Sequence, residues 1–275
     1  MIVMAGHDEM DGIVTGPATM SPLVQLQSIG KIFPNGVTAL RDTSFAVEDG
    51  EFVSLLGPSG CGKSTALRII AGLIAPSSGD VMWRAGAAPK GSSGEIGFVF
   101  QEPTLMPWAS VAGNVYLPMK LAGLEKSAAM PRIREALTRV GLDGFEEAYP
   151  RELSGGMKMR VSIARALVTQ PKLLLMDEPF AALDEITRFR LNNDLLMLWA
   201  GMRQTAIFVT HSVFESVYLS SRILVMTPRP GRIFADIPID ASYPRDESFR
   251  TSADYAALCR KVSQALVAAM AEPAA

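Results

Sequence analysis

The chain has 275 residues, of which 48% are hydrophobic and 20% charged, with a net charge of −2. That length holds one large or two modest domains with a proper core, and the near-neutral balance lacks the basic face that nucleic acid demands, so a DNA or RNA partner is excluded. Apolar runs stay well short of the roughly 18 residues that span a bilayer, residues 1–20 have neither a basic start nor an apolar core, and Cys61 and Cys259 form no metal-ligand spacing, so a soluble chain kept in a reducing cytoplasm is expected.

Residues 1–21 mix Gly, Asp, Met and Thr without periodicity and are expected to form a flexible tail. Residues 23–27 alternate as an edge strand does, and after the Pro34-Asn35-Gly36 turn short strands are expected near 43–47 and 51–55. Phe33 stands just before that turn. An aromatic there either stacks on an adenine ring or packs into the core or turn, and both readings stay open on the residues alone.

An apolar run at 52–56 and a helix-patterned segment at 66–73 flank Gly57-Pro58-Ser59-Gly60-Cys61-Gly62-Lys63-Ser64-Thr65. In that strand–loop–helix context G-x-x-x-x-G-K-[ST] reads as a phosphate cradle rather than a plain glycine turn. Glycines let several backbone N–H groups turn inward and approach closely, and the following helix adds its positive end. Lys63 then reaches the terminal phosphates, and the Ser64 hydroxyl ligates Mg²⁺.

Residues 75–80 read as a loop into a strand, and 95–100 as a strand that ends at Gln101, a polar side chain at the edge where ligands of open α/β sheets bind. From about 105 to 170 helical patterning takes over, with Pro punctuation. Within it, Ser154 caps a helix, and Gly155 and Gly156 either admit a second anion to that N-terminus or belong to an ordinary cap. Residues 172–177 form a buried strand that delivers two adjacent acids, Asp177 and Glu178, to its C-terminal end. Such carboxylates repel and need a reason: Asp177 holds Mg²⁺ directly or through water, and Glu178 polarises an attacking water. Ala182-Leu183-Asp184 and a helix over 185–200 follow, and a strand over 205–210 brings His211, one of two histidines, to the same edge. Strands near 222–227 and 232–237 complete the sheet, and the amphipathic stretch 253–270 reads as a packing helix rather than a membrane binder.

Taken in order, the loop 57–65, Gln101, residues 153–157, 173–178, 182–184 and His211 resemble the motif set of an ATP-binding cassette (ABC) ATPase across residues 22–240. The wording of 103–108, 176–188, 228–233 and 249–252 is similar to the nitrate/sulfonate/taurine branch of bacterial importers. The resemblance implies an α/β fold: a P-loop NTPase core with an antiparallel β subdomain, an inserted α-helical subdomain at about 105–170 and a C-terminal helical extension at 241–275. It implies ATP and Mg²⁺ as cofactors, with Ser64, Gln101 and Asp177 at the metal. Phe33 would stack on adenine, Gln101 would also couple the site to a permease, Glu178 would be the general base, and His211 would hold the γ-phosphate and the water. Ser154, Gly155 and Gly156 would meet ATP held by the opposite subunit, with Asp184 bridging the interface. Met157 departs from the usual Gln of the signature and removes a hydrogen-bonding side chain there.

The implied partners are transmembrane permease subunits, an extracytoplasmic solute-binding protein acting indirectly, and a second copy of the chain arranged head to tail. The implied location is peripheral, on the cytoplasmic face of the inner membrane. The solute stays open among nitrate, alkanesulfonates, taurine and pyrimidine precursors. A soluble ABC ATPase of ribosomes or DNA would want tandem cassettes, long coiled-coil insertions or basic surfaces. A non-hydrolysing nucleotide-dependent module would not need both Asp177 and Glu178. The apolar stretch 103–108 reads either as a dock for a short permease helix or, through Trp108, as core packing.

Overall fold

The computed structural model describes residues 21–84, 95–202 and 204–272; the expected N-terminal tail, apart from Ser21, lies outside them. Strands β1 (Val24–Ile32), β2 (Thr38–Val47) and β4 (Ser78–Trp83) form an antiparallel sheet in the order β2-β1-β4. The first two strands are longer than alternation predicts, and the cause is local. Ser28 (φ 47°) and Asp42 (φ 46°) take left-handed conformations at register shifts, each interrupting the period-2 pattern while the strand continues. The Ser28 N–H, lost to the ladder, donates instead to Ser44 Oγ at 2.8 Å.

The second sheet has six strands: β3 (Phe52–Leu56), β5 (Ile96–Val99), β6 (Leu173–Asp177), β7 (Thr205–Thr210), β8 (Arg222–Met226) and β9 (Ile233–Pro238), in the order β5-β6-β7-β3-β8-β9. All pairings are parallel except β8 with β9. Every residue of β3, β6 and β7 is buried, as expected for parallel strands covered on both faces.

Successive residues of these strands feed different layers. Leu55, Leu175, Val209 and Leu224 pack in one core with α1 (Lys63–Ile70) and the antiparallel sheet. Leu56, Leu174, Phe208 and Val225 pack in the other, with α2 (Val111–Leu121), α3 (Lys126–Arg139), α4 (Gly155–Leu167) and α5 (Glu185–Met202). The helices α2, α3 and α4 lie between β5 and β6 in the chain and form the inserted helical part.

The chain closes with α6 (Val213–Leu219), α7 (Glu247–Arg250) and α8 (Ala253–Ala271). α8 buries Tyr255, Cys259, Val262 and Ala269 along one face, so it is a packing helix as its pattern suggests. The extension also ties down the carbonyls of α6. The buried Arg245 donates to Val217 O (2.8 Å), Tyr218 O (3.0 Å) and Ser220 O (2.9 Å), Tyr243 OH donates to Leu219 O (2.8 Å), and Tyr255 OH to Phe214 O (3.0 Å). Helix C-terminal carbonyls lack partners of their own, and a guanidinium satisfies several at once. No helix among the described residues is long and apolar enough to cross a membrane.

Candidate active site

Parallel pairing aligns the strand ends that carry the motifs: Val99 pairs with Met176, Asp177 with Val209, and Leu56 with Thr210. The loop after β3, the acids ending β6 and His211 after β7 therefore meet at one edge, where ligands of open α/β sheets bind.

The loop turns into α1 through Gly62, whose φ is 107°. A Cβ there would lie 2.8 Å from Ala39 O and 2.6 Å from Leu40 Cδ2, so both conformation and space demand glycine. Gly62→Ala is expected to cost about 1 to 2 kcal/mol from the backbone conformation alone, to lower Tm and to weaken nucleotide binding together; thermal melts and ATP titration check this.

Lys63 is 3% exposed, and its Nζ donates to Gly57 O (2.8 Å) and Pro58 O (3.0 Å). The same ammonium lies 3.6 Å from Glu178 Oε1. Ser64 Oγ donates to Asp177 Oδ1 at 2.6 Å. Burial pushes the Asp177 carboxyl above the usual carboxylate range, opposed chiefly by that Ser64 hydrogen bond. Glu178 sits at φ 45°, which turns the chain off the strand line. Its carboxylate lies between Lys63 and His211, with Oε2 3.1 Å from His211 Nδ1. The His211 ring is half exposed and held by this contact with the acid.

A cleft of about 160 Å³ opens over this group, lined by Phe33, Gly60, Lys63, Ser64, Thr65 and Glu178. Phe33 belongs to neither core and lies at the cleft wall beside the turn, so core packing fails, while turn packing and adenine stacking both stand. Arg229, from the turn between β8 and β9, lines the same cleft, and sequence reasoning assigned it nothing.

The remaining predicted residues lie outside that cleft. Gln101 is exposed where the chain leaves β5. Ser154 caps α4, its Oγ accepting from Met157 N at 3.3 Å. Gly155 lies exposed beside it, while Gly156 is buried where a Cβ would stand 2.9 Å from Thr187 Cγ2, so packing on α5 by itself favours glycine there. Asp184 accepts from Thr187 N at 2.9 Å, and this backbone hydrogen bond holds its carboxyl below the usual range. Trp108 is 77% exposed, which removes its core-packing alternative. Two residues that sequence reasoning missed fix the loop that carries it. Buried Asn114 accepts from Met106 N (2.7 Å) and donates to Ala109 O (3.1 Å), while Arg165 donates to Pro103 O and Thr104 O, both at 2.9 Å.

A glycine cradle at a helix N-terminus, a buried lysine, a hydroxyl paired with an acid and a second acid beside a histidine together define a nucleoside-triphosphate hydrolase of the P-loop class. A family model described as ABC transporter matches residues 40–181. An uncharacterised ABC transporter ATP-binding protein of Methanocaldococcus jannaschii is 46% identical over 92% of this chain and 95% of that protein. The aliphatic sulfonates import ATP-binding protein SsuB of Bacillus licheniformis is 44% identical over 82% of this chain and 86% of its own. Among solved structures, a dimeric ATP-binding cassette in a post-hydrolysis state with ADP and Pi superposes with a TM-score of 0.70 at 31% identity, over 80% of this chain and all of that one. CbiO1 of Clostridium perfringens, part of an ABC transporter complex, gives 0.72 at 25% identity, over 88% and 99%. The chain belongs to the ATP-binding cassette transporter family, and it is an ATPase.

Proposed function

We propose that this chain powers an importer of a small anionic or sulfonate-type solute by hydrolysing MgATP between two head-to-tail copies at the cytoplasmic face of the membrane. One observation carries the chemical part: Glu178 is held between Lys63 and His211 at the mouth of the phosphate loop, 3.6 and 3.1 Å from them. Catalysis is positioning and charge stabilisation. The cradle and Lys63 meet the phosphates, Phe33 stacks on the adenine, Glu178 accepts the proton of the attacking water, and His211 holds that water and the γ-phosphate.

Ser64 Oγ and Asp177 Oδ1, 2.6 Å apart, are hard oxygen donors of the kind Mg²⁺ takes, and a buried carboxyl that accepts from a hydroxyl alone among the described residues suits a cation. Ser64 and Asp177 would hold the ion with Gln101 reaching in, and the ion would neutralise phosphate charge. Ser154, Gly155 and Gly156 face the ATP of the second copy, and Asp184 lies at the join between the two.

The permease dock is the surface from Gln101 to Trp108. A groove of about 420 Å³ runs beside it, lined by Phe98, Phe100, Leu117 and Leu121, and the exposed Trp108 adds to an apolar surface of the kind that marks a partner site. The names of relatives such as SsuB support an aliphatic sulfonate as the solute; an extracytoplasmic binding protein would deliver it. The test is co-expression with the permease subunits of a sulfonate importer: ATP-dependent sulfonate uptake supports the reading, and failure to copurify with them contradicts it. In the same assay Trp108→Glu is expected to abolish copurification while ATP affinity and Tm stay unchanged. A collapse of Tm would show that Trp108 serves the fold instead.

A further inference from the structure

The turn between β8 and β9 is built onto the phosphate loop. Gly231 N donates to Ala39 O (2.9 Å), and Gly231 O accepts from Arg41 N (3.1 Å) and Thr43 Oγ1 (2.9 Å). A Cβ on Gly231 would run into Cys61 O, so only glycine lets this turn settle on the loop. Thr227 braces the turn from within: its Oγ1 donates to Pro230 O (3.3 Å) and accepts from Arg232 N (3.1 Å). Arg229, at the tip, is therefore carried by a framework hydrogen-bonded to β2 and packed against the cradle at Cys61.

Its Nε donates to Gly60 O at 3.0 Å, which orients the guanidinium across the lip of the cleft. Gly60 has φ 76°, and one terminal nitrogen of Arg229 lies 2.9 Å from where a Cβ on Gly60 would sit. Glycine at 60 thus admits the guanidinium. The neighbouring arginines have acids: Arg222 pairs with Asp236 and Glu51, and Arg232 with Glu272. Arg229 has no carboxylate partner among the described residues, and its side chain lines the same cleft as Phe33, Lys63 and Ser64. A guanidinium with one N–H engaged keeps a donor edge free, and that edge matches phosphate oxygens.

We propose that Arg229 is a further nucleotide contact, meeting the phosphate chain from the open side of the loop while Lys63 meets it from the buried side. The proposal rests on the nucleotide-binding reading of the loop given above. The competing role is a staple that only shapes the loop through Gly60 O.

Arg229→Gln separates the two, because the amide keeps a donor for Gly60 O and loses the charge. Arg229→Lys keeps the charge and loses the planar fork. The experiment titrates wild type and both variants with ATP, ADP and AMP by calorimetry and records Tm for each. The expected result for Arg229→Gln is an ATP Kd raised roughly tenfold, the size of a lost charged hydrogen bond. The loss shrinks from ATP to AMP, Tm is unchanged, and Arg229→Lys falls between wild type and Gln. A wild-type ATP Kd in Arg229→Gln, or an equal loss for ATP, ADP and AMP, overturns the proposal. Wild-type protein that binds no ATP would instead sink the nucleotide reading on which it rests.

Discussion

Glu178→Gln is expected to lower MgATP hydrolysis by about a hundredfold or more while ATP still binds, the size that follows from removing a positioned general base. The amide keeps the shape of the side chain and its hydrogen-bonding reach. It cannot take a proton, and it no longer carries the charge that faces Lys63 at 3.6 Å and His211 at 3.1 Å. Glu178 reaches both because its backbone sits at φ 45°, held by a hydrogen bond from its N–H to Val209 O at 3.1 Å, and the substitution leaves that arrangement alone. Steady-state phosphate release and nucleotide titration separate the two effects. Hydrolysis at the wild-type rate would show that the base is another group.

Lys63→Ala is expected to remove turnover and to weaken ATP binding by roughly 2 kcal/mol or more, about thirtyfold, as for the loss of a charge-assisted hydrogen bond. Lys63 is 3% exposed and is the buried cation of the loop, bonded to Gly57 O and Pro58 O. Its removal takes the ammonium from Gly57 O, leaves Pro58 O with only the long bond from Cys61 N at 3.4 Å, and strips Glu178 of the lysine charge, so both ground-state binding and the geometry of the base suffer. Unchanged kcat and KM would contradict the role given to the lysine. The prediction differs from that for Glu178 in kind, since there binding is retained and here it is weakened along with turnover.

The parallel strands were legible because burial on both faces writes them as continuous apolar runs, and the acids and His211 could be placed because each directly follows such a run. Strand order was not legible, since pairing β3 with both β7 and β8 joins residues about 150 to 170 positions apart in the chain. The ends of β1 and β2 were missed where Ser28 and Asp42 interrupt the alternation, a conformation these residue types do not announce. Phe33 was ambiguous in the sequence, and its place at the wall of the cleft removes only the core-packed reading. Arg245, Asn114 and Arg229 escaped for one shared reason. Each acts by hydrogen-bonding to backbone carbonyls, and a carbonyl carries no residue-type signal. Gly156 shows the reverse case: packing against Thr187 gives glycine a second cause there, which the motif alone did not suggest.

The central claim, that two copies close on ATP with the Ser154 loop of each completing the site of the other, is tested most directly by the molar mass of the Glu178→Gln protein in solution. Loss of one negative charge beside the γ-phosphate and slowed turnover should let the ATP-bound pair persist. Light scattering with saturating ATP and Mg²⁺ is expected to give twice the 29.6 kDa chain mass, and with ADP the mass of a single chain. A single-chain mass at saturating ATP, in a protein whose wild type hydrolyses ATP, would contradict the two-copy sandwich.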